Sequence, residues 1–247
     1  MTALNDVINS LPNTDKNVVS ILSGGLDSTI MTYALVEKYG KDRVFALSYN
    51  YGQKQKLELD KAAATCVHLG VKHRILDLSI LGEIVKDVSA NIGGTSVAMP
   101  TIKDVIGDPT PKTYVPFRNM ILNSIGFSFA ESNNADFIFS GLQSTDEYGY
   151  WDTTKSFIDA MNSVASLSRA FKPMIVAPFV GLSKTDEIAI SKEIKNIRLD
   201  LTLTCYNPND QGESCGKCPS CAERVKAFMK NKMVDPIPYS INIPWVV

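Results

Sequence analysis

Six consecutive residues near the amino end have the composition of a phosphate-binding turn: Ser23, Gly24, Gly25, Leu26, Asp27 and Ser28. An apolar run at residues 18–22 precedes them and predicts a buried strand, and residues 29–39 have helical spacing. At such a turn, glycines admit a ligand close to the backbone, and the first N–H groups of the helix attract phosphate. Asp27 supplies a carboxylate that can hold Mg²⁺ against the same phosphates. An ordinary strand-to-helix turn uses the same residue types, so this alternative stays open.

A second group of reactive residues lies near the carboxyl end and consists of four cysteines: Cys205, Cys215, Cys218 and Cys221. The spacing C-x9-C-x2-C-x2-C lets three thiolates surround one ion while the fourth closes a tetrahedron. This pattern favours a structural Zn²⁺ site with four sulfur ligands. An iron–sulfur cluster is the alternative, although in ferredoxins the fourth cysteine follows the other three. Cys66 lies in a predicted helix, where we expect it to be a core residue.

Strands and helices alternate along the chain. Apolar runs predict strands at residues 18–22, 44–49, 73–78, 136–140 and 174–179. Helical spacing predicts helices at residues 29–39, 54–69, 119–132, 157–171 and 185–195. This order predicts a doubly wound α/β fold with a parallel sheet and a ligand site at the carboxyl ends of the strands. Residues 80–112 contain Gly and Pro interruptions and suggest a lid or substrate loop.

The length of 247 residues and the 45% apolar content suit one domain with a small appendage. We expect an extension at residues 1–16, an ATP-binding and catalytic domain at 17–200 and a zinc-binding subdomain at 201–247. A net charge of −1 does not predict attraction to nucleic acid or to an anionic membrane, because both require a positively charged protein surface. The apolar runs are too short for a membrane span, and the first residues lack a signal-peptide pattern. Together with the clustered cysteines, these features predict a cytoplasmic protein.

Taken with four shorter motifs in the same order, the loop and the cysteines resemble those of the QueC family of 7-cyano-7-deazaguanine synthases. The loop is similar to the PP-loop of ATP pyrophosphatases, Ser-Gly-Gly-x-Asp-Ser. The shorter motifs are Tyr51-Gly52-Gln53, residues 115–119, residues 146–152, and Lys184 after a strand and a proline. The resemblance extends from about residue 17 to about residue 230.

This resemblance implies an ATP-dependent C–N ligase with an adenine nucleotide alpha hydrolase-like fold. ATP, Mg²⁺ and Zn²⁺ are the implied cofactors, and a homodimer is the implied assembly. In the family, ATP adenylates 7-carboxy-7-deazaguanine, and ammonia then displaces AMP to give an amide. A second adenylation, at the amide oxygen, lets AMP leave with formation of the nitrile.

The resemblance also implies roles for individual side chains. Charge at phosphorus would be stabilised by the catalytic residues Lys184, Arg118 and Asp27. ATP would contact Ser23, Gly24, Gly25, Leu26, Asp27, Ser28, Tyr51 and Gln53. The deazapurine would contact Arg118, Asn119, Asp146, Tyr150 and Asp152. Metal would be held by Cys205, Cys215, Cys218 and Cys221. For Lys184 and Arg118, the alternative is an ordinary solvated charge at a helix end.

The chain departs from the family pattern next to the expected substrate. Trp151, Thr153 and Thr154 stand where the family has Pro, Cys and Arg, and Phe117 replaces a Gly. The motifs expected to bind ATP and support adenylation match the family pattern, whereas the residues expected around the substrate and the amine acceptor do not. An alternative is therefore a QueC-like ligase of phage or antiviral defence that stops at the amide or uses another amine, including a protein amine.

Two further alternatives remain open. A tRNA thiolase of the PP-loop class requires a persulfide cysteine near the loop and a basic RNA-binding face, and neither is evident in the sequence. A nucleotide-binding or zinc-dependent interaction module without turnover would not require the intact loop together with Lys184.

Overall fold

A five-stranded parallel sheet lies at the centre of the computed structural model, which describes residues 3–100, 108, 110–143 and 150–246. The strands are β1 (Asn17–Ile21), β2 (Val44–Asn50), β3 (Lys72–Asp77), β4 (Ala135–Ser140) and β5 (Met174–Val176). Their spatial order is β3-β2-β1-β4-β5, and every neighbouring pair is parallel. All five predicted strands are confirmed. Strand β5 is shorter than expected and ends before Pro178, which has no N–H for a sheet hydrogen bond.

Eight α-helices occur in the described part of the chain. They are α1 (Ala3–Ser10), α2 (Leu26–Tyr39), α3 (Leu57–Leu69), α4 (Ser79–Val85), α5 (Arg118–Ser132), α6 (Lys155–Ala165), α7 (Lys184–Ser191) and α8 (Pro219–Lys230). Short 3₁₀ turns lie at Lys41–Arg43, Trp151–Thr153 and Leu199–Leu201. The sequence did not predict α4 or α8, and it extended α6 by six residues beyond its observed end.

Helices cover both faces of the sheet. Val18 and Val19 are neighbours on β1, so they point to opposite faces, and each is fully buried in a separate apolar cluster. Helices α1, α2, α7 and α8 contribute to the first cluster, and α5 and α6 contribute to the second. The doubly wound α/β fold is therefore confirmed. Cys66 is 2% exposed in the first cluster, as expected of a core residue.

The carboxyl-terminal segment is attached to the same core. Ala227 and Phe228 of α8 belong to the first apolar cluster. Arg224, on the same helix, is fully buried and donates to both carboxylate oxygens of Asp235, at 2.6 and 2.9 Å, and to Thr202 Oγ1 at 2.8 Å. Within the described ranges, no helix is both long enough and apolar enough to cross a membrane.

Candidate active site

A cavity of about 280 Å³ opens at the carboxyl ends of β1 and β4. The chain leaves β1 toward β2 on one side and leaves β4 toward β5 on the other, so the connections diverge between these two strands. In open α/β sheets, ligands bind at this kind of switch point. Ile21 and Ser140, the last residues of the two strands, both line the cavity.

The glycine turn after β1 forms one wall of this cavity. Gly24 has φ +90°, and a Cβ there would overlap the carbonyl of Glu58, so only glycine fits. Leu203 N donates to Gly24 O at 2.9 Å and fixes the turn from the carboxyl-terminal side. Within the turn, the Ser23 and Ser28 hydroxyl oxygens lie 3.0 Å apart. The turn is therefore shaped by tight packing and by its own hydroxyl groups.

The amino end of α2 is open to a ligand. Gly25 occupies the N-cap position, and no side chain caps the helix there. The first N–H groups of a helix need acceptors, and the helix dipole favours an anion beside them. Leu26 is fully buried in the core, so its side chain anchors the helix rather than facing the cavity. This arrangement fits a phosphate group at the start of α2.

Asp27 and Lys184 are 157 positions apart in the sequence and meet at the cavity wall. Lys184 Nζ donates to both carboxylate oxygens of Asp27, at 2.8 and 2.9 Å, and only 12% of the lysine side chain is exposed. Burial alone would raise the pKa of Asp27, but the Lys184 charge and hydrogen bonds lower it below the ordinary value. Ser183 and Asp186 form a capping box that fixes the first turn of α7, where Lys184 lies.

Two side chains that sequence reasoning missed stand behind this ion pair. Glu187 is fully buried, and its Oε1 accepts a hydrogen bond of 2.5 Å from Gln143 Nε2. Burial, and then the charge of nearby Asp27, raises the pKa of Glu187 well above its ordinary value. Of these two carboxyl groups, Glu187 therefore favours the neutral form, whereas Asp27 favours the charged form that Lys184 balances.

Arg118, Asn119 and Asp152 form the opposite side of the cavity. Arg118 is the first residue of α5, and its Nη1 donates to the Tyr51 hydroxyl at 3.2 Å. The Asn119 backbone N donates to Asp152 Oδ2 at 3.3 Å, and Asn119 Nδ2 donates to Asp152 O at 3.2 Å. Burial raises the pKa of Asp152, although the charge of Arg118 opposes that effect. This side offers a cation, an amide and a carboxylate.

Aromatic rings extend the same side. The rings of Tyr114 and Tyr150 stack with centroids 6.0 Å apart and an interplanar angle of 22°. The Tyr150 hydroxyl lies 2.7 Å from Thr113 Oγ1, and Trp151 Nε1 donates to the Tyr114 hydroxyl at 2.9 Å. Trp151, at the position of the family's proline, thus holds Tyr114. These flat side chains suit a planar heterocycle.

Most of the candidate residues surround one cavity. Those that line it are Ser23, Gly25, Asp27, Ser28, Tyr51, Arg118, Asn119, Tyr150, Asp152 and Lys184. Gln53 is 2% exposed and holds the turn after β2, since its Oε1 accepts from Tyr51 N and its Nε2 donates to Tyr49 O. Asp146 lies outside the described residues. Sequence reasoning missed the lining residues Gln55, Glu58, Tyr114, Thr204 and Glu223.

The four late cysteines come together as a separate cluster. Their sulfur atoms all lie within 4.8 Å of one another, and Cys215 and Cys221 Sγ are 3.9 Å apart. Sulfurs of a tetrahedral zinc site are about 3.8 Å apart, because each Zn–S bond is about 2.3 Å. The Cys215 backbone N donates to Cys205 Sγ at 3.2 Å, a contact that favours the thiolate. The cluster fits one tetrahedral metal ion.

Comparison with known proteins agrees with this geometry. The family model described as "Queuosine biosynthesis protein QueC" matches residues 17–232. The chain belongs to the QueC family. A relative from Pseudoalteromonas atlantica, named 7-cyano-7-deazaguanine synthase, is 38% identical over 230 residues. A relative of the same name from Alteromonas mediterranea is 39% identical over 230 residues. Each alignment covers 91% of this chain and 99% of the relative.

Solved structures share the fold of this QueC family member. The NMN synthetase of Francisella tularensis matches with a TM-score of 0.51 at 15% identity, over 95% of this chain and 87% of the synthetase. The U34-tRNA thiolase NcsA of Methanococcus maripaludis also gives a TM-score of 0.51, at 18% identity, over 78% of this chain and 63% of the thiolase. At these identities the likeness concerns the fold alone.

Proposed function

We propose that this protein is an ATP-dependent ligase that converts 7-carboxy-7-deazaguanine and ammonia into 7-cyano-7-deazaguanine, with release of AMP and pyrophosphate. The observation that carries the proposal is a single cavity with a phosphate-binding turn on one side and Arg118, Asp152 and aromatic rings on the other. The names of the relatives supply the product, and the acid and ammonia are the substrates that the family resemblance implies.

ATP binds with its phosphates at the start of α2. Backbone N–H groups and the hydroxyl groups of Ser23 and Ser28 hold the phosphate oxygens. Lys184 faces the same region and balances the charge that develops as pyrophosphate leaves. Mg²⁺ would supply further positive charge to the phosphates, and Asp27 would be the carboxylate that holds it.

The deazapurine acid binds on the opposite side. Asp152 accepts N–H groups from its guanidine-like edge, as a carboxylate does from amino and imino donors. Tyr150 and Tyr114 cover the ring, and Arg118 attracts the reacting carboxylate and the α-phosphate. Asn119 holds Asp152 in place through two hydrogen bonds.

The reaction has two adenylation stages. A carboxylate oxygen attacks the α-phosphorus of ATP, and pyrophosphate leaves. Ammonia then attacks the acyl carbon, a proton is lost from nitrogen, and AMP leaves with formation of the amide. In the second stage the amide oxygen attacks the α-phosphorus of another ATP, and pyrophosphate leaves. The adduct then loses two protons from nitrogen, one before and one as AMP departs, to give the nitrile. In each stage, adenylation turns a substrate oxygen that is a poor leaving group into part of AMP, which leaves readily.

The cysteine cluster holds a structural Zn²⁺ ion in this proposal. Four sulfur ligands leave no open position for a substrate, which is typical of structural zinc sites. The metal would fix the segment that includes Leu203, whose backbone N donates to Gly24 O in the phosphate-binding turn.

The experiment that tests the proposal is a product assay. The purified protein is incubated with ATP, Mg²⁺, 7-carboxy-7-deazaguanine and ammonia, and the products are identified by mass spectrometry. We expect AMP, pyrophosphate and the nitrile, none of them formed when the acid is omitted. AMP release that does not depend on the acid, or ADP in place of AMP, would overturn the proposal.

A further inference from the structure

We infer that Glu58 is a catalytic residue, the base that accepts the proton lost from the amine as the C–N bond forms. The inference rests on the proposed ligase function and deepens it, since it assigns a proton acceptor to a step that no named motif covers.

Glu58 stands between the two halves of the cavity. It lies in the first turn of α3, and its backbone packs against Gly24 of the phosphate-binding turn. Its half-buried side chain lines the cavity together with Ser23 and Gly25 on one side and Arg118 on the other. An acyl adenylate bridges these same two sides, because its phosphate lies at the turn and its ring at Asp152. The Glu58 carboxyl group therefore faces the region of the reacting carbonyl carbon.

The environment of Glu58 suits a base. Burial raises the pKa of Glu58 to about 8, and the charge of Arg118 only partly offsets that effect. General bases are most effective when their pKa lies near the working pH. Among the residues that the structure describes, none makes a hydrogen bond or an ion pair with the Glu58 carboxyl group, so its oxygens are available to a proton.

Other ionisable groups also face the cavity: Asp27, Asp152, Lys184, Arg118, Glu223, Tyr51, Tyr114, Tyr150 and Tyr206. Asp27 is held by Lys184 through both oxygens, and Asp152 Oδ2 accepts from the Asn119 backbone. Glu223 has a partner of its own. The hydroxyl groups of Tyr51, Tyr114 and Tyr150 each take part in a hydrogen bond.

The proposed step conserves atoms and charge. Nitrogen attacks the acyl carbon of the adenylate, and the bond from that carbon to the AMP oxygen breaks. One proton moves from nitrogen to a Glu58 oxygen and later to solvent. The same carboxylate accepts the proton that leaves nitrogen when the second AMP departs and the nitrile forms.

Glu58→Gln is the test variant, and Glu83→Gln, an exposed glutamate on α4, is its matched control. Exchange of labelled pyrophosphate into ATP in the presence of the acid measures adenylation alone. We expect the exchange to be unchanged in Glu58→Gln while amide formation from ammonia falls by at least ~10²-fold. Hydroxylamine, a stronger nucleophile with a less basic nitrogen, should restore product formation as the hydroxamate. Glu83→Gln should match the wild type in every assay.

A pH series adds a second readout. At a fixed concentration of uncharged ammonia, amide formation by the wild type should rise as Glu58 loses its proton near pH 8, and this rise should be missing in Glu58→Gln. Loss of pyrophosphate exchange in Glu58→Gln, or amide formation at the wild-type rate, would overturn the inference. Absence of acid-dependent exchange in the wild type would instead overturn the proposed function.

Discussion

The ion pair between Asp27 and Lys184 joins the amino ends of α2 and α7 at the cavity. Each residue was predicted separately, one from the glycine-rich turn and the other from a lysine after a strand and a proline. Their contact could not be predicted, because it depends on how two helices distant in sequence pack together. The same is true of Glu187 and Gln143, which are buried only once α7 packs beside the sheet.

Replacement of Asp27 tests the proposed phosphate site at the level of one side chain. We expect Asp27→Ala to lower AMP formation by at least ~10²-fold, because it removes a charge that orients Lys184 and a ligand for the phosphate-bound cation. Acid-dependent AMP release, measured by chromatography, is the readout. Asp159→Ala is the matched control, since it breaks an exposed ion pair with Lys155 and should leave the rate unchanged. Undiminished AMP release in Asp27→Ala would contradict the assignment.

A second test at this scale concerns the buried pair of Arg224 and Asp235. Both side chains are fully buried, so Asp235→Ala would leave a guanidinium in the core without its carboxylate. We expect a loss of about 3–5 kcal/mol in the free energy of unfolding, measured with urea. Asp200→Ala breaks the exposed pair with Arg198 and should cost no more than about 1 kcal/mol. Equal losses for the two variants would contradict the expectation that the buried pair stabilises the fold more than the exposed pair.

At the scale of elements, the cysteine cluster and α8 form one unit. Cys218 is the N-cap of α8, and Cys221 lies in its first turn, so a metal ion held by the cluster would fix the start of the helix. The sequence predicted the cluster from spacing alone, because cysteines separated by two intervening residues can bind the same ion. It did not predict α8, which begins directly within the cysteine cluster at Pro219.

Metal analysis tests this unit. We expect about one zinc ion per chain, and Cys218→Ser should lose the metal and unfold at lower urea concentration, since metal binding and local folding are coupled. Cys66→Ser is the control, because it disturbs the buried core without touching the cluster and should retain zinc. Iron with a visible absorption band in protein purified without oxygen would contradict the zinc assignment.

The turn before α6 carries the departures from the family pattern. Thr154 caps α6, since its Oγ1 accepts from Phe157 N at 3.2 Å and donates to Trp151 O at 2.9 Å. Thr153 Oγ1 donates to Tyr150 O at 2.8 Å. Lys155 pairs with Asp159 on the surface, with 77% of its side chain exposed. The two threonines therefore have local structural roles, and Lys155 does not replace the missing arginine at the cavity.

These substitutions predict slow conversion of the amide. The acid is an anion and attacks ATP readily, whereas the neutral amide depends more on positive charge beside it, so amide should exceed nitrile at early times. The double variant Thr153→Cys, Thr154→Arg should raise the nitrile share, measured by mass spectrometry. Its free energy of unfolding should fall by about 1 kcal/mol, because the N-cap of α6 is lost. Thr154→Ala should show the same loss of stability without any gain in nitrile. Complete conversion to nitrile by the wild type, with no amide detected, would show that the substitutions do not slow amide conversion.

At the scale of the whole molecule, strand order explains why one cavity holds both halves of the site. The turn after β1 carries the residues proposed to bind phosphate, and β4, the neighbour of β1, leads toward Tyr150 and Asp152. The alternation of apolar runs and helical spacing was sufficient to predict the parallel sheet. Helix boundaries were less predictable, because α2 begins within the glycine turn and α3 begins only after the buried turn held by Gln53.

A heavy-oxygen label in both positions of the substrate's carboxyl group tests most directly whether AMP is transferred to that group. The labelled acid is incubated with the protein, ATP, Mg²⁺ and ammonia, and AMP is analysed by mass spectrometry. If the carboxyl oxygens attack the α-phosphorus, each AMP formed with amide or nitrile must carry one heavy oxygen in its phosphate. Unlabelled AMP, or heavy oxygen in inorganic phosphate instead, would contradict the account.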